Sequence, residues 1–472
     1  MSKEKAPGAM TLAEKASFGM GPIGKNMCSS LVYGSFLSLY FMKTLGISPA
    51  YLSIMFLLCR IWDGVNDLFM GAIIDATHSK FGKFRPWIFF GALTNAICTI
   101  LIYWDPGFRG VPLYIYVTVL YLLCDLTFTM IDVAYWALIP ALTLDRKERD
   151  QVSVIPRLTG AIGGAVSSFT LNIVDALGGE GSNAGFLKYA LITSVVYLAT
   201  STICAANSKE RVHSVTVSQE KFSLVKAAKI LFSNDQALNV VVIMLLFNAA
   251  SCVTGAVMMY YFIYVINSRD FYGTFGILTG VIQGIGLLGF PLLSKKIDRN
   301  KVYIFAYLMP IVGYALMALV GSADNFNMIL FIVVSSLIYI SYGAMGVMEN
   351  VMLADAVDYG EWKTGQRNEG IIFSMLTFLS KIANGISSGL TFAVFAIVGF
   401  NADAEVAPTS QAVLSFKILL FAVPVVFLIG AAIVHKVGFK LKPELVEQIS
   451  RELGERHAAA NAQTAAEEQT AE

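Results

Sequence analysis

The chain has 472 residues, of which 56% are hydrophobic and only 14% charged, with a mean hydropathy of +0.65. An average soluble domain is about 25% charged, so a water-facing globular surface is excluded, and a net charge of +1 gives no footing for a nucleic-acid partner. Cys28, Cys59, Cys98, Cys124, Cys204 and Cys252 all sit in apolar stretches without a CxxC or Cys/His cluster, which argues against a disulfide framework or zinc site and leaves them as small buried hydrophobes.

Residues 1–17 are polar and mixed in charge, and the apolar segment after them is too long for a signal-peptide core, so no cleavable leader is expected. Roughly 20 apolar residues are needed to cross about 30 Å of hydrocarbon as a helix. Apolar runs against polar breaks predict twelve spans: 19–43, 49–76, 86–104, 112–141, 155–177, 185–206, 237–266, 271–294, 302–321, 325–353, 370–399 and 412–435. Helices are expected because an open sheet would leave backbone groups unsatisfied in lipid.

The connections after the even-numbered spans hold eighteen lysines and arginines, from Lys80 to Arg367, against five (Lys43, Arg109, Lys188, Arg269, Lys417) on the other side. The positive-inside rule then puts both termini in the cytoplasm. The polar segment 207–236 divides the spans six and six, giving a first bundle over 1–206, a cytoplasmic linker over 207–236 and a second bundle over 237–439. The expectation is an all-α membrane protein of twelve transmembrane helices in two six-helix bundles, the major facilitator architecture. LDRKERDQ after span 4 is weakly echoed by DYGEWKTGQRNEG after span 10, and residues 440–472 read as a polar, disordered or loosely helical tail.

Charges inside spans are costly, about 2.5–3.5 kcal/mol each at a helix centre, and mark function. Span 1 places Asn26, Ser30 and Tyr33 on one face, and Lys25 is deep enough to need a partner, Asp132 or the acids of span 2, unless it snorkels. Span 2 carries RIWDGVND. Asp63 and Asp67 share a face with Asn66, and their repulsion is relieved by a proton or a cation. Pairing with Arg60, one turn earlier, is the competing structural reading. In span 4, Asp125, Thr129, Asp132 and Trp136 fall at offsets 0, 4, 7 and 11 and form one stripe. There a carboxylate accepts from sugar hydroxyls and an indole stacks on a pyranose, and Thr129 offers an oxygen to a cation. Span 11 repeats the spacing with Thr377, Lys381, Asn384 and Ser388, and Lys381 is expected to pair with a carboxylate of the first half. Asp355, Asp358 and Glu361 read as caps or gates, and Glu349 is ambiguous. The histidines His78, His213, His435 and His457 read as lying in connections or the tail. No nucleophile–base pair suggests an enzyme.

Five motifs in order, RIWDGVNDLFMG, GKFRPW, MIDVAYWALIPALTLDRKERDQ with PR at 156–157, ADAVDYGEWK and the lysine of span 11, resemble the melibiose permease-like glycoside–pentoside–hexuronide:cation symporters over about residues 12–440. The resemblance implies that Asp63, Asp67 and Thr129, beside Asn66, hold sodium, lithium or a proton. It implies that Asp132, Trp136 and Arg157 hold the sugar with Lys25 and the helix 1 face at Asn26 and Tyr33, and that Lys381, with Arg60, links the two bundles. Two positions depart. Asn26 stands where the type member has a sugar-binding aspartate, which favours a different glycoside or an acidic sugar, and Gly346 stands where it has a tryptophan, which widens the cavity. No phosphotransfer-type domain is expected after the last span. The overall expectation is a monomeric multi-pass protein of a bacterial inner membrane that needs no cofactor and moves a sugar or glycoside with sodium or a proton. A hexuronide carrier is the alternative. A lysolipid transporter and a non-transporting sugar receptor are further ones.

Overall fold

The computed structural model describes residues 10–77, 79–143, 146–179, 183–211, 224–294, 299–321, 326–402 and 408–471, and among them all regular structure is helical. Residues 212–223 of the expected linker, His78 and His213 lie outside the described residues, as do the side chains of Arg146, Lys147, Arg149 and His457.

Helix α1 (Leu12–Tyr33) opens on a capping box: the Thr11 hydroxyl accepts from the Glu14 N–H while the Glu14 carboxylate accepts from the Thr11 N–H. It stops at Gly34, where a Cβ would lie 2.3 Å from the Ser30 carbonyl oxygen. α2 (Ser35–Lys43) follows, so the expected first span is two helices. α3 (Pro49–Asp75), α4 (Arg85–Ile102) and α5 (Val111–Leu142) follow the reading closely. α6 (Arg146–Ser168) and α7 (Thr170–Gly178) break the expected fifth span with a 49° bend, and α8 (Asn183–Asn207) closes the first half.

The Glu210 carboxylate accepts from the N–H groups of Lys83, Phe84 and Arg85 at 2.7, 2.9 and 3.2 Å, while the Arg85 side chain donates to the Ala205 and Ala206 carbonyls at 2.5 and 2.9 Å. The start of α4 and the end of α8 thus satisfy each other's unpaired backbone groups, with the carboxylate at the positive end of one helix dipole and the guanidinium at the negative end of the other.

In the second half, α9 (Leu224–Ser233) lies within the expected linker, and α10 (Asp235–Tyr264), α11 (Phe271–Leu293) and α12 (Arg299–Val320) match the sequence reading. α13 (Met328–Thr364) has 37 residues and outruns the expected span 325–353, ending on Gly365 in the left-handed region. α14 (Glu369–Ile397) is followed by α15 (Ser410–Lys417), which passes through one π-helical turn into α16 (Val423–Gly438). The tail is a helix, α17 (Pro443–Ala471), anchored where the Trp362 indole N–H donates to Glu452 at 2.6 Å and Arg456 donates to the Trp362 carbonyl at 3.1 Å.

Among the described residues nine helices are long and apolar enough to cross a membrane, or ten if the bent α6–α7 pair is one span. Outside that set are the broken α1–α2 segment and α3, whose middle carries Arg60, Asp63 and Asp67. The protein is a multi-pass membrane protein, and candidate site charges fall both on helices outside that set, Lys25 on α1 and Asp63 and Asp67 on α3, and on apolar spans within it, Asp132 on α5 and Lys381 on α14.

The chain forms two compact units that interleave in sequence. One comprises Met1–Gln219, Gly255–Ile277 and Gly385–Phe416, the other Glu220–Thr254, Leu278–Asn384 and Lys417–Glu472. Within the first, α1 packs closely on its neighbours. A Cβ at Gly24 would lie 2.5 Å from the Tyr197 backbone of α8, and one at Gly163 of α6 would lie 2.2 Å from the Ile23 carbonyl oxygen. Small residues at such contacts let helix backbones approach. The Phe18 ring stacks on Tyr135 at 4.6 Å, and the Tyr135 hydroxyl donates to the Phe18 carbonyl at 2.9 Å. The same unit holds an ion pair between Arg269 and Asp175 and a 2.6 Å hydrogen bond from Ser53 to the Gly389 carbonyl.

Within the second unit, Asp235 gathers Lys363, Lys440 and the Tyr359 hydroxyl, and Arg367 bridges Asp358, Glu361 and Glu369. His435 does not lie in a connection. It sits in the last turn of α16, 5% exposed, with its ring 5.9 Å from Tyr303 and 5.5 Å from Tyr307, because α16 continues past the last apolar run before it caps.

Candidate substrate and cation site

The site is built on three helices of the first unit. The register of α3 on α5 follows from aromatic contacts at their beginnings. Tyr51 stacks on Tyr114 at 4.3 Å, its hydroxyl donates to the Tyr114 carbonyl at 2.9 Å and pairs with Thr118, and Phe56 lies edge-on to Tyr121 at 5.4 Å. Matched residues are 63 to 67 positions apart, and the number rises together on both helices, so they run side by side in the same direction. The same offset puts Arg60 level with Asp125, Asp63 with Thr129, and Asp67 with Asp132. Spacing within each helix puts these groups on one face.

Lys25 of α1 is 6% exposed. Its ammonium forms an ion pair with Asp132 of α5, whose side chain is 39% exposed. The Trp136 indole N–H donates to the same Asp132 oxygen at 3.2 Å. The Lys25 nitrogen is also 5.9 Å from the Phe128 ring, 5.3 Å from Tyr135 and 5.4 Å from Trp136. Aromatic faces and one carboxylate thus replace the water a buried ammonium loses. Of the two partners the sequence offered Lys25, the fold selects Asp132. Phe128 and Tyr135 escaped the sequence reading, although Phe128 lies one turn before Asp132 and shares its face.

Asn26 donates to the Gly160 carbonyl of α6 at 3.0 Å, which fixes its amide. Tyr33 has a buried hydroxyl with no hydrogen-bond partner among the described residues, and its ring lies 5.1 Å from the Arg60 guanidinium. Arg60 reaches Asp63 at 3.4 Å, a long contact. Asp63, Asn66 and Thr129 are 6%, 3% and 3% exposed, and the Asn66 amide nitrogen has no acceptor among the described residues. Asp67 is half-buried one turn further along α3, and Arg157 is exposed on α6. Lys381 is half-buried on α14, in the other unit. An apolar groove of about 530 Å³ between α3 and α5, lined by Tyr51, Leu58, Cys59 and Trp62 among others, contains none of the candidate site residues.

Chemically, the face combines hard oxygen ligands at one level with an ion-paired carboxylate and an indole at the next. Charged groups kept among apolar helices that cross a membrane repeatedly are the pattern of a substrate or ion pathway, and the class of protein is a membrane transporter, as the family match shows. The chain belongs to the MFS/sugar transport protein family, whose model matches residues 17–441.

It is 28% identical over 463 residues to the isoprimeverose transporter of Lactiplantibacillus pentosus, covering 96% of this chain and 94% of that one. It is 29% identical over 453 residues to the inner membrane symporter YicJ of Escherichia coli strain K12, covering 94% and 95%. To a lactose permease of Lactobacillus delbrueckii subsp. bulgaricus it is 26% identical over 419 residues, covering 86% of this chain and 66% of the relative. In fold it is similar to the crystal structure of the nucleoside transporter NupG, with a TM-score of 0.61 at 14% identity, covering 91% of this chain and 100% of that one. These findings bear out the resemblance to glycoside–pentoside–hexuronide:cation symporters and the major facilitator fold.

Proposed function

We propose that this protein is a secondary transporter that moves a sugar or glycoside together with a sodium ion or proton by alternating access. It does so as a monomer of twelve spans in two six-helix bundles, in a bacterial inner membrane with both termini cytoplasmic. The names of the relatives support a sugar as cargo. The reading rests on the spacing that puts Asp63, Asn66 and Asp67 on one face of α3 and Thr129, Asp132 and Trp136 on one face of α5, with Lys25 ion-paired to Asp132 and the Trp136 indole donating to it. In this reading the first four hold the cation. Lys25, Asn26, Tyr33, Asp132, Trp136 and Arg157 bind the sugar, and Lys381 and Arg60 couple the bundles. The cation neutralises the repulsion of Asp63 and Asp67 and draws α3 to α5, which sets Asp132 for the sugar. Each ligand therefore raises the affinity for the other, and the effect is reciprocal.

An acidic sugar is a second reading, favoured by the exposed Arg157 and by an amide, not a carboxylate, at Asn26. The test is uptake into proteoliposomes of glycosides, pentosides and hexuronides under separate sodium and proton gradients, with Asp63→Cys alongside. Gradient-driven accumulation is expected in the unmodified chain and not in the variant, which keeps exchange. Cation-driven accumulation that survives Asp63→Cys intact sinks the cation site.

A further inference from the structure

Arg60 lies in the middle of α3 and reaches Asp63 at a long 3.4 Å. Its guanidinium also rests 5.1 Å from the Tyr33 ring. On α5, level with it, is Asp125, 2% exposed and one turn before Thr129 on the same face. Tyr121, one turn before Asp125 on α5, has its ring 6.0 Å from that of Tyr33, so Arg60, Tyr33 and this level of α5 share one cluster. Arg60 therefore stands between two carboxylates. One, Asp63, belongs to the cation group, and the other is a level away from it.

An arginine on Asp63 does the neutralising that a coupling cation does, so the two compete for the same oxygens. A guanidinium displaced inside a low-dielectric region needs another carboxylate, because an unpaired buried charge is costly. A planar fork on a flexible stem swings between two acceptors without leaving the interior.

We propose that Asp125 is a positioning residue for cation binding: it is the second anchor to which Arg60 transfers when a cation takes Asp63 and Asp67. This rests on the cation reading given above. Asp125 touches neither ligand and acts through Arg60 alone.

The purified full chain in lipid nanodiscs is titrated with sodium chloride, with lithium chloride and by pH, choline chloride holding ionic strength, and the thermal midpoint is read. Asp125→Asn is expected to raise the half-saturating cation concentration roughly tenfold, and Asp125→Glu to restore it. Removing a negative charge also weakens cation attraction through space, and the Arg60→Gln background separates the two effects. There, adding Asp125→Asn is expected to change the half-saturating concentration by less than about twofold, since no guanidinium remains to be rehoused. Equal losses in both backgrounds, or none in either, overturn the proposal. Should Asp125→Asn alone fail to fold, Asp125→Ser replaces it in both backgrounds and the same comparison is read. A midpoint in the unmodified chain indifferent to sodium, lithium and pH overturns the cation reading itself. A response abolished by Asp63→Asn and untouched by Asp125→Asn overturns only the Arg60 transfer.

Discussion

Lys25 and Asp132, 107 positions apart, form an ion pair whose members are unequally buried: the lysine is 6% exposed and the aspartate side chain 39%. Removing either partner is therefore not symmetric. Asp132→Ala strands an ammonium in the interior and is expected to cost about 3–5 kcal/mol. Lys25→Met fills the same space and leaves a carboxylate that water already reaches, for about 1 kcal/mol or less. Thermal midpoints of the two purified variants check this, and equal losses would place the pair in water.

Trp136 contributes a ring face and one N–H to Asp132 at 3.2 Å. Trp136→Phe keeps a face and removes the bond, so the half-saturating sugar concentration is expected to rise about three- to tenfold. Trp136→Ala removes both and is expected to raise it by roughly a further factor of ten. The measurement is uptake at saturating cation with a sugar the unmodified chain accumulates. Identical values for both variants would remove stacking from the site.

Asp175 on α7 and Arg269 before α11 form an ion pair at 2.8 Å with one hydrogen bond, from Arg269 Nη2 to Asp175 Oδ1 at 3.0 Å, within one compact unit. Asp175→Arg puts two guanidinium groups face to face and is expected to lower the thermal midpoint. Adding Arg269→Asp is expected to recover much of the loss, with a coupling energy of about 0.5–3 kcal/mol across the double-mutant cycle. Strictly additive losses would show that the two side chains do not interact.

Glu14 and Glu148 hold the start of α1. Glu14 takes Arg211 at 2.8 Å, and Glu148 takes Lys15 at 3.0 Å with the Thr143 hydroxyl and the Met10 N–H. Burial pushes both carboxyl groups upward, but the hydrogen bonds from Thr11 and Arg211 at Glu14, and from Thr143, Lys15 and Met10 at Glu148, outweigh it and hold both below the ordinary 4.5. A depressed folded pKa stabilises the protein above the unfolded value, and that contribution is lost as pH falls through 4.5 toward the folded value. The midpoint of the unmodified chain is expected to fall below pH 4.5 more steeply than that of Glu14→Gln plus Glu148→Gln. Parallel curves would refute the linkage.

Much of the site was legible because helical spacing is a property of one segment. The offsets 0, 4, 7 and 11 set Asp125, Thr129, Asp132 and Trp136 on one face whatever surrounds them. The excess of apolar residues announced a membrane protein, and motif order announced its family. What spacing left open was which face meets which. Lys25 had two candidate partners, and the choice of Asp132 came from Gly24 and Gly163 drawing α1 against α8 and α6. Phe128 and Tyr135 escape a sequence reading because spacing alone does not tell a ring that meets an ammonium from one that meets another side chain; the fold sets the Lys25 ammonium beside both.

By itself the chain's order of residues determined that helices form, that they enter lipid and which side chains share a face, since these depend on local transfer energies and a fixed 3.6-residue turn. Tertiary structure alone decided the pairing of Lys25 with Asp132, the level of Arg60 between Asp63 and Asp125, the burial of His435 and the docking of α17. Each of these depends on how one helix is rotated and set against another, and that is a matter of packing among side chains far apart in sequence.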